Sequence, residues 1–187
     1  MAHYRLLLPL RHEEDGAYSP WSAFLPGGVT EGEQLRTIDL YDLRHRAADA
    51  GADMTGWDSS RGRVSEDFVW TLREALGGFV PADATWTVTR WRGYRHELVG
   101  AALVTVGDLN CVQQVLNLDD TMTSIGELGM PDFMWSSTCQ FGWGAPLYPD
   151  WGVMTVAADD YIRHFIPRGL EAFSFPLDAT LPDSLGD

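Results

Sequence analysis

The sequence predicts an α+β fold: a single domain over residues 1–177 with a mainly antiparallel sheet, two principal helices packed on one of its faces, and a loose polar tail over 178–187. Three observations carry this expectation. Segments of period-two alternation, or of β-branched and aromatic enrichment, recur along the chain as strands do. Two amphipathic stretches with capping signals interrupt them without regular strand-helix alternation, which favours antiparallel pairing over a parallel sheet. No glycine-rich strand-to-helix turn of the dinucleotide-binding type is present. A chain of 187 residues is long enough for one sizeable core and short for two.

Taken in order, residues 3–10 place Tyr4, Leu6, Leu8 and Leu10 on one parity and predict a first strand, with Pro9 near its end. Trp21 to Leu25 is short and apolar, closed by Pro26-Gly27-Gly28, and predicts a strand returning on the first. Thr30 and Glu33 match a capping box, and Leu35, Ile38, Leu43 and Ala47 recur at helical steps up to the stop at Gly51. Ser65 caps a second helix, with Glu66 and Asp67 in its first turn and Phe68, Val69, Leu72, Ala75 and Leu76 as its apolar stripe. Residues 85–91 and 98–106 predict a hairpin whose second strand is central in the sheet. Asp108 is placed to cap a short helix carrying Leu109, Val112, Val115 and Leu116, followed by irregular chain over 117–129. Residues 153–157 and 170–177 predict two further strands, with a helical turn at Asp159 to Phe165 between them.

The densest aromatic stretch is residues 126–152, with six of the 22 aromatic residues. Phe133, Trp135, Ser137, Cys139, Phe141 and Trp143 share one parity, so 133–143 reads as one long half-buried strand. Beyond it, Pro146 and Pro149 interrupt any ladder, which puts Tyr148 and Trp151 on a turn with no periodic reason to be buried.

Charge limits the partners. The formal net charge is −14, and residues 97–187 carry thirteen acids against only Arg163 and Arg168. Such a chain repels polyanions, so nucleic acid and anionic membrane are disfavoured, and a basic protein is the expected partner. The apolar run Leu6 to Leu10 is too short for a signal core or a membrane span, so a cytoplasmic location is expected, with Cys111 and Cys139 as reduced, buried thiols. The oligomeric state is left open.

Sites are sparse in the pattern. Arg90 to His96 interleaves three arginines with Trp91 and Tyr94, and guanidinium forks beside flat rings suit a small anionic ligand, which singles out Arg92, Tyr94 and Arg95. His12-Glu13-Glu14-Asp15 and the acidic pairs lack the spacings of metal motifs, and no metal or other cofactor is expected. His96 and Cys139 are the remaining acid-base or nucleophile candidates. His45-Arg46-Ala47-Ala48-Asp49 has H-x-x-x-D spacing, and Trp135-Ser136-Ser137 followed by Phe141-Gly142-Trp143-Gly144 resembles the second hallmark of plant-type BAHD acyltransferases. That resemblance, over under a tenth of the chain, implies His45 as a general base acting on an acceptor hydroxyl and the Phe141 to Gly144 stretch as structural.

The leading expectation is therefore an acidic protein-binding module, of the immunity-like, defence-accessory or DNA-mimic kind, using exposed Trp143, Tyr148 and Trp151 as anchors. The alternative is a small enzyme or small-molecule binder with an aromatic-lined pocket.

Overall fold

Antiparallel pairing dominates the computed structural model, which describes residues 1–25, 40–94, 98–147 and 149–174. Its strands are β1 (Ala2–Leu7), β2 (Leu10–His12), β3 (Tyr18–Ser19), β4 (Trp57–Asp58), β5 (Trp86–Trp91), β6 (Ala102–Val106), β7 (Leu109–Leu116), β8 (Phe133–Ser136), β9 (Phe141–Gly144), β10 (Trp151–Val156) and β11 (Ala172–Ser174). Among the described residues three longer helices accompany them: α1 (Leu40–Asp49), α2 (Glu66–Gly77) and α3 (Leu118–Leu128). A further helical segment over 158–168 contains a π-helical stretch, Tyr161–Phe165. Eight strands form one sheet in the order β11-β1-β10-β9-β8-β5-β7-β6, and β3-β2-β4 form a small second sheet. The architecture is mixed α+β, and the proposed tail over 178–187 lies outside the described residues.

Two apolar clusters sit on opposite faces of the large sheet. On one face Tyr4, Leu6, Trp86, Val88, Met134, Phe141, Trp143, Met154 and Val156 meet Leu72, Ala75 and Leu76 of α2, Met122 and Ile125 of α3, and Phe165. Residues of the other parity, Leu7 on β1 and Trp151 on β10, join Leu10, Trp21, Leu25, Phe173 and the α1 residues Leu43 and Ala47. Full burial of side chains this large stabilises the fold by about 1.5–3 kcal/mol each before the entropy of ordering is charged against it. The expected pair of principal helices is thereby split: α1 and α2 cover opposite faces, and it is α3 that packs beside α2.

Several expectations give way to the structure. Residues 133–143 are a hairpin rather than one strand. Residues 137–140 form its turn, in which Cys139 takes a left-handed φ of 57° and stands exposed rather than buried. The turn switches the parity, so Met134 and Ser136 point into the core on β8 while Phe141 and Trp143 do so on β9. Trp151 opens β10 and is 2% exposed, with the Arg5 guanidinium stacked 4.6 Å from its ring, so the prolines end before the ladder resumes.

Residues 109–116 are a strand, not a helix. Val106 pairs with Leu109 across the two-residue Gly107-Asp108 turn, and Gly107 supplies the positive φ that such a hairpin needs. The helix follows it, capped by Asn117, whose side chain accepts a hydrogen bond from the Asp120 amide. As a result β7 separates β5 from β6, and β6 is an exposed edge strand instead of a central one.

Trp21–Ala23 forms a 3-10 turn instead of a strand. The Glu171 carboxylate accepts hydrogen bonds from the amides of Trp21 and Ser22 at 2.8 and 2.6 Å, a contact made across about 150 residues that local pattern does not contain. The Ser65 cap holds as expected: its hydroxyl accepts from the Phe68 amide at 3.1 Å.

Candidate functional site

The aromatic anchors expected at the surface divide. Trp143 is 4% and Trp151 2% exposed, so both belong to the core, and Tyr148 lies outside the described residues. The Trp143 indole donates its N–H to the Pro131 carbonyl at 2.8 Å, which satisfies its one polar atom inside the protein. Neither indole is available as an anchor.

Among the arginine-aromatic candidates, Arg92 is exposed in a 3-10 turn that follows β5, whereas Arg95 and His96 lie outside the described residues. Tyr94 donates its hydroxyl to Asp132 Oδ1 at 3.1 Å, and the Trp91 amide donates to Asp132 Oδ2 at 2.5 Å. Asp132 itself is 1% exposed, and burial pushes its carboxyl above the usual range while these two bonds and the nearby Arg90 charge pull it down. Arg90 is equally buried, and desolvation lowers it to about 10, still charged at neutral pH. Its guanidinium donates to the Ser124 carbonyl and hydroxyl of α3 at 3.3 Å each. This cluster fastens the end of β5 to α3 and to the entry of β8, and its acceptors are occupied by protein donors. Its role is structural.

His45 stands exposed on α1, in the layer that covers the second cluster. A general base works best when held against its substrate away from bulk water, and an exposed helical histidine offers no such enclosure. Cys139 is exposed on its turn. No group of three or more potential metal ligands occurs among the described residues.

The outer surface of α2 shows a different arrangement. The stripe of Leu72, Ala75 and Leu76 faces the sheet, which turns Trp70 outward, where it is 63% exposed. Glu66 and Asp67 lie one turn before it and Arg73 and Glu74 one turn after, the three- and four-residue steps that make neighbours on a helix. The Arg73 guanidinium stands 5.9 Å from the Trp70 ring and pairs with Asp119 of α3 at 2.7 Å and with Glu74 at 3.4 Å. The indole is thus held by a cation that is itself neutralised by carboxylates. Across α2, α3 and the 158–168 segment the charged residues are Glu66, Asp67, Glu74, Asp119, Asp120, Glu127, Asp159 and Asp160 against Arg73, Arg163 and Arg168.

A second exposed apolar feature lies on the opposite face of the sheet. Phe133, Trp135, Gly142, Gly144, Val153 and Thr155 line a shallow trough in which Trp135 is 40% exposed. Among the described residues no charged side chain lines it, in contrast to the α2 surface.

Trp70, Arg61 and Arg63 are the residues of interest that pattern reading passed over. For Trp70 the signal was available: at about 100° per residue it falls outside the Phe68, Val69, Leu72, Ala75, Leu76 stripe. Among the described residues no helix is long and apolar enough to cross a membrane. Comparison of the chain with protein-family models, with curated proteins and with solved structures found no match, so the functional reading rests on this geometry.

Proposed function

We propose that the chain is a small acidic protein-binding module that engages a basic partner through the outer face of α2 and α3, with Trp70 as its anchor. The observation that carries this reading is Trp70 itself, a large indole 63% exposed on a helix whose adjacent turns carry Glu66, Asp67 and Glu74. An exposed tryptophan leaves apolar area in water that a partner would cover, and tryptophan is among the residues most enriched at the energetic centres of interfaces. The surrounding carboxylates raise the encounter rate with a cationic surface and repel polyanions. The Arg73 contact adds preorganisation, because an indole already held in place loses less rotamer freedom on binding. Immunity-like, defence-accessory and DNA-mimic proteins all belong to this physical class.

The test is affinity capture from the native host with the wild-type chain and the Trp70→Ala variant, each at low and at high salt. The reading predicts one basic protein retained by wild type at low salt, lost at high salt, and lost with Trp70→Ala at either. Retention by both baits alike, or retention that is insensitive to salt, would contradict it.

A further inference from the structure

The loop that leads from β4 into α2 builds a second, oppositely charged feature. Ser59-Ser60-Arg61-Gly62-Arg63 makes a tight turn in which Arg61 has φ 49° and Gly62 φ 83°, both left-handed. For a glycine this costs little, whereas for arginine it is a strained conformation that the surroundings must hold. They do so at several points. The Arg61 amide donates to the Ser59 hydroxyl at 3.0 Å and the Met130 amide to the Gly62 carbonyl at 2.7 Å. A Cβ on Gly129 would stand 2.7 Å from that carbonyl oxygen, so the two loops approach as closely as backbone allows.

The outcome is a pocket of about 330 Å³ with a divided lining. Leu128, Met130 and Pro149 give it an apolar wall, and Tyr94 adds a ring fixed through its hydroxyl on Asp132. Arg61 and Arg63 supply two guanidinium groups, both exposed, and neither forms an ion pair among the described residues. Of the nearby carboxylates, Asp58 and Asp132 are engaged elsewhere, and Asp150 attracts Arg61. Asp58 is taken by Arg44 at 2.9 Å, and Asp132 accepts from Trp91 and Tyr94. Asp150 is held as far as about 6 by burial and by the Asp58 charge, against the pull of the Arg61 amide and of the Arg61 and Arg44 charges. Two forked cations beside a ring and an apolar wall form the complement of a compact dianion carried on an apolar body.

We infer that the pocket between the 59–64 loop, Tyr94 and the Leu128 to Met130 bend is a binding site for a small phosphate monoester, with Arg61 and Arg63 on the phosphate and the Tyr94 ring and Leu128 to Met130 wall on its organic part. This site is independent of the α2 surface and of the partner proposed for it. The probes are phenyl phosphate, inorganic phosphate and benzoate, titrated into the whole chain at low ionic strength by calorimetry and by following backbone amide resonances of residues 61–63. Phenyl phosphate should saturate in the low-millimolar range or tighter, about tenfold better than inorganic phosphate, which lacks the apolar body, and better than benzoate, which brings one charge to two cations. Arg63→Gln should weaken it about tenfold or more. Arg61→Gly relieves the left-handed strain, so it keeps the fold while removing one guanidinium, and should weaken phenyl phosphate similarly. Failure of phenyl phosphate to saturate below about 10 mM, benzoate binding as tightly as phenyl phosphate, or either variant titrating like wild type would overturn the assignment.

Discussion

The segment from Asp132 to Val156 and the outer face of α2 use tryptophan in opposite ways. The first holds three, of which Trp143 and Trp151 are inside and only Trp135 reaches the surface, at 40%. The second holds one, Trp70, and exposes most of it. Aromatic density along a chain therefore measures core here, and the proposed anchor is the isolated tryptophan on the outer side of an amphipathic helix. The residues between decide which it is: alternation turns Phe141 and Trp143 of β9 inward and Phe133 and Trp135 of β8 outward, and the apolar stripe of α2 turns Trp70 outward.

Substitutions in the two regions should separate stability from binding. The largest effect is expected from Trp143→Ala, which opens a cavity in the core cluster that α2 and α3 join and removes the bond to Pro131; denaturant unfolding should show a loss of about 3–5 kcal/mol. A loss under about 1 kcal/mol would mean that this ring is not core. Asp132→Ala comes next, at about 3 kcal/mol, because it strands the Trp91 amide and the Tyr94 hydroxyl and leaves the buried Arg90 charge without its nearest counter-charge. Asp132→Asn, which can keep one acceptor, should cost less.

Asp150 contributes a pH dependence in the same region. Its carboxyl is raised to about 6 from an ordinary 3.8, with burial the main cause and the Asp58 charge second. The folded state then holds the proton more tightly than the unfolded chain does. Stability from this group is full below about pH 4 and falls as pH rises through 6, by an amount on the order of 2 kcal/mol. Asp150→Asn should flatten that fall and make the protein more stable than wild type at pH 7, with the two curves meeting near pH 4; a wild-type curve that rises between pH 4 and 6 alongside an unchanged variant would contradict the assignment. The smallest effect is expected on the other side of the comparison: Trp70→Ala should shift unfolding by no more than about 0.5 kcal/mol.

Much of this fold is legible in the sequence. The α+β class, the Ser65-capped helix, and strands read at 85–91 and 153–157 follow from local pattern, because caps and period-two runs are local physics, although β10 starts two residues earlier, at Trp151. Three things are not local. Residues 109–116 fit helical steps and strand alternation alike, and what selects the strand is the Gly107-Asp108 turn and the neighbours β5 and β6 on either side. The turn at Cys139 carries no glycine or proline to announce it, so the period-two pattern continues through it unbroken. Glu171 capping Trp21–Ala23 is a tertiary contact. Of the candidate residues, Tyr94 belongs in sequence to an arginine cluster and does line a pocket with arginines, but these are Arg61 and Arg63 of a distant loop rather than Arg92. A strained turn far along the chain leaves no periodic trace.

The central claim is that binding energy sits on α2 while the aromatic strands supply the fold. Its most direct test is the dissociation constant of the captured basic protein for the wild type, Trp70→Ala and Trp135→Ala chains, measured side by side at fixed salt on variants of equal thermal stability. The account predicts that Trp70→Ala weakens binding by about 30-fold or more, corresponding to at least about 2 kcal/mol, and that Trp135→Ala changes it by less than about threefold. Unchanged affinity for Trp70→Ala with a large loss for Trp135→Ala would contradict it and move the interface to the opposite face of the sheet.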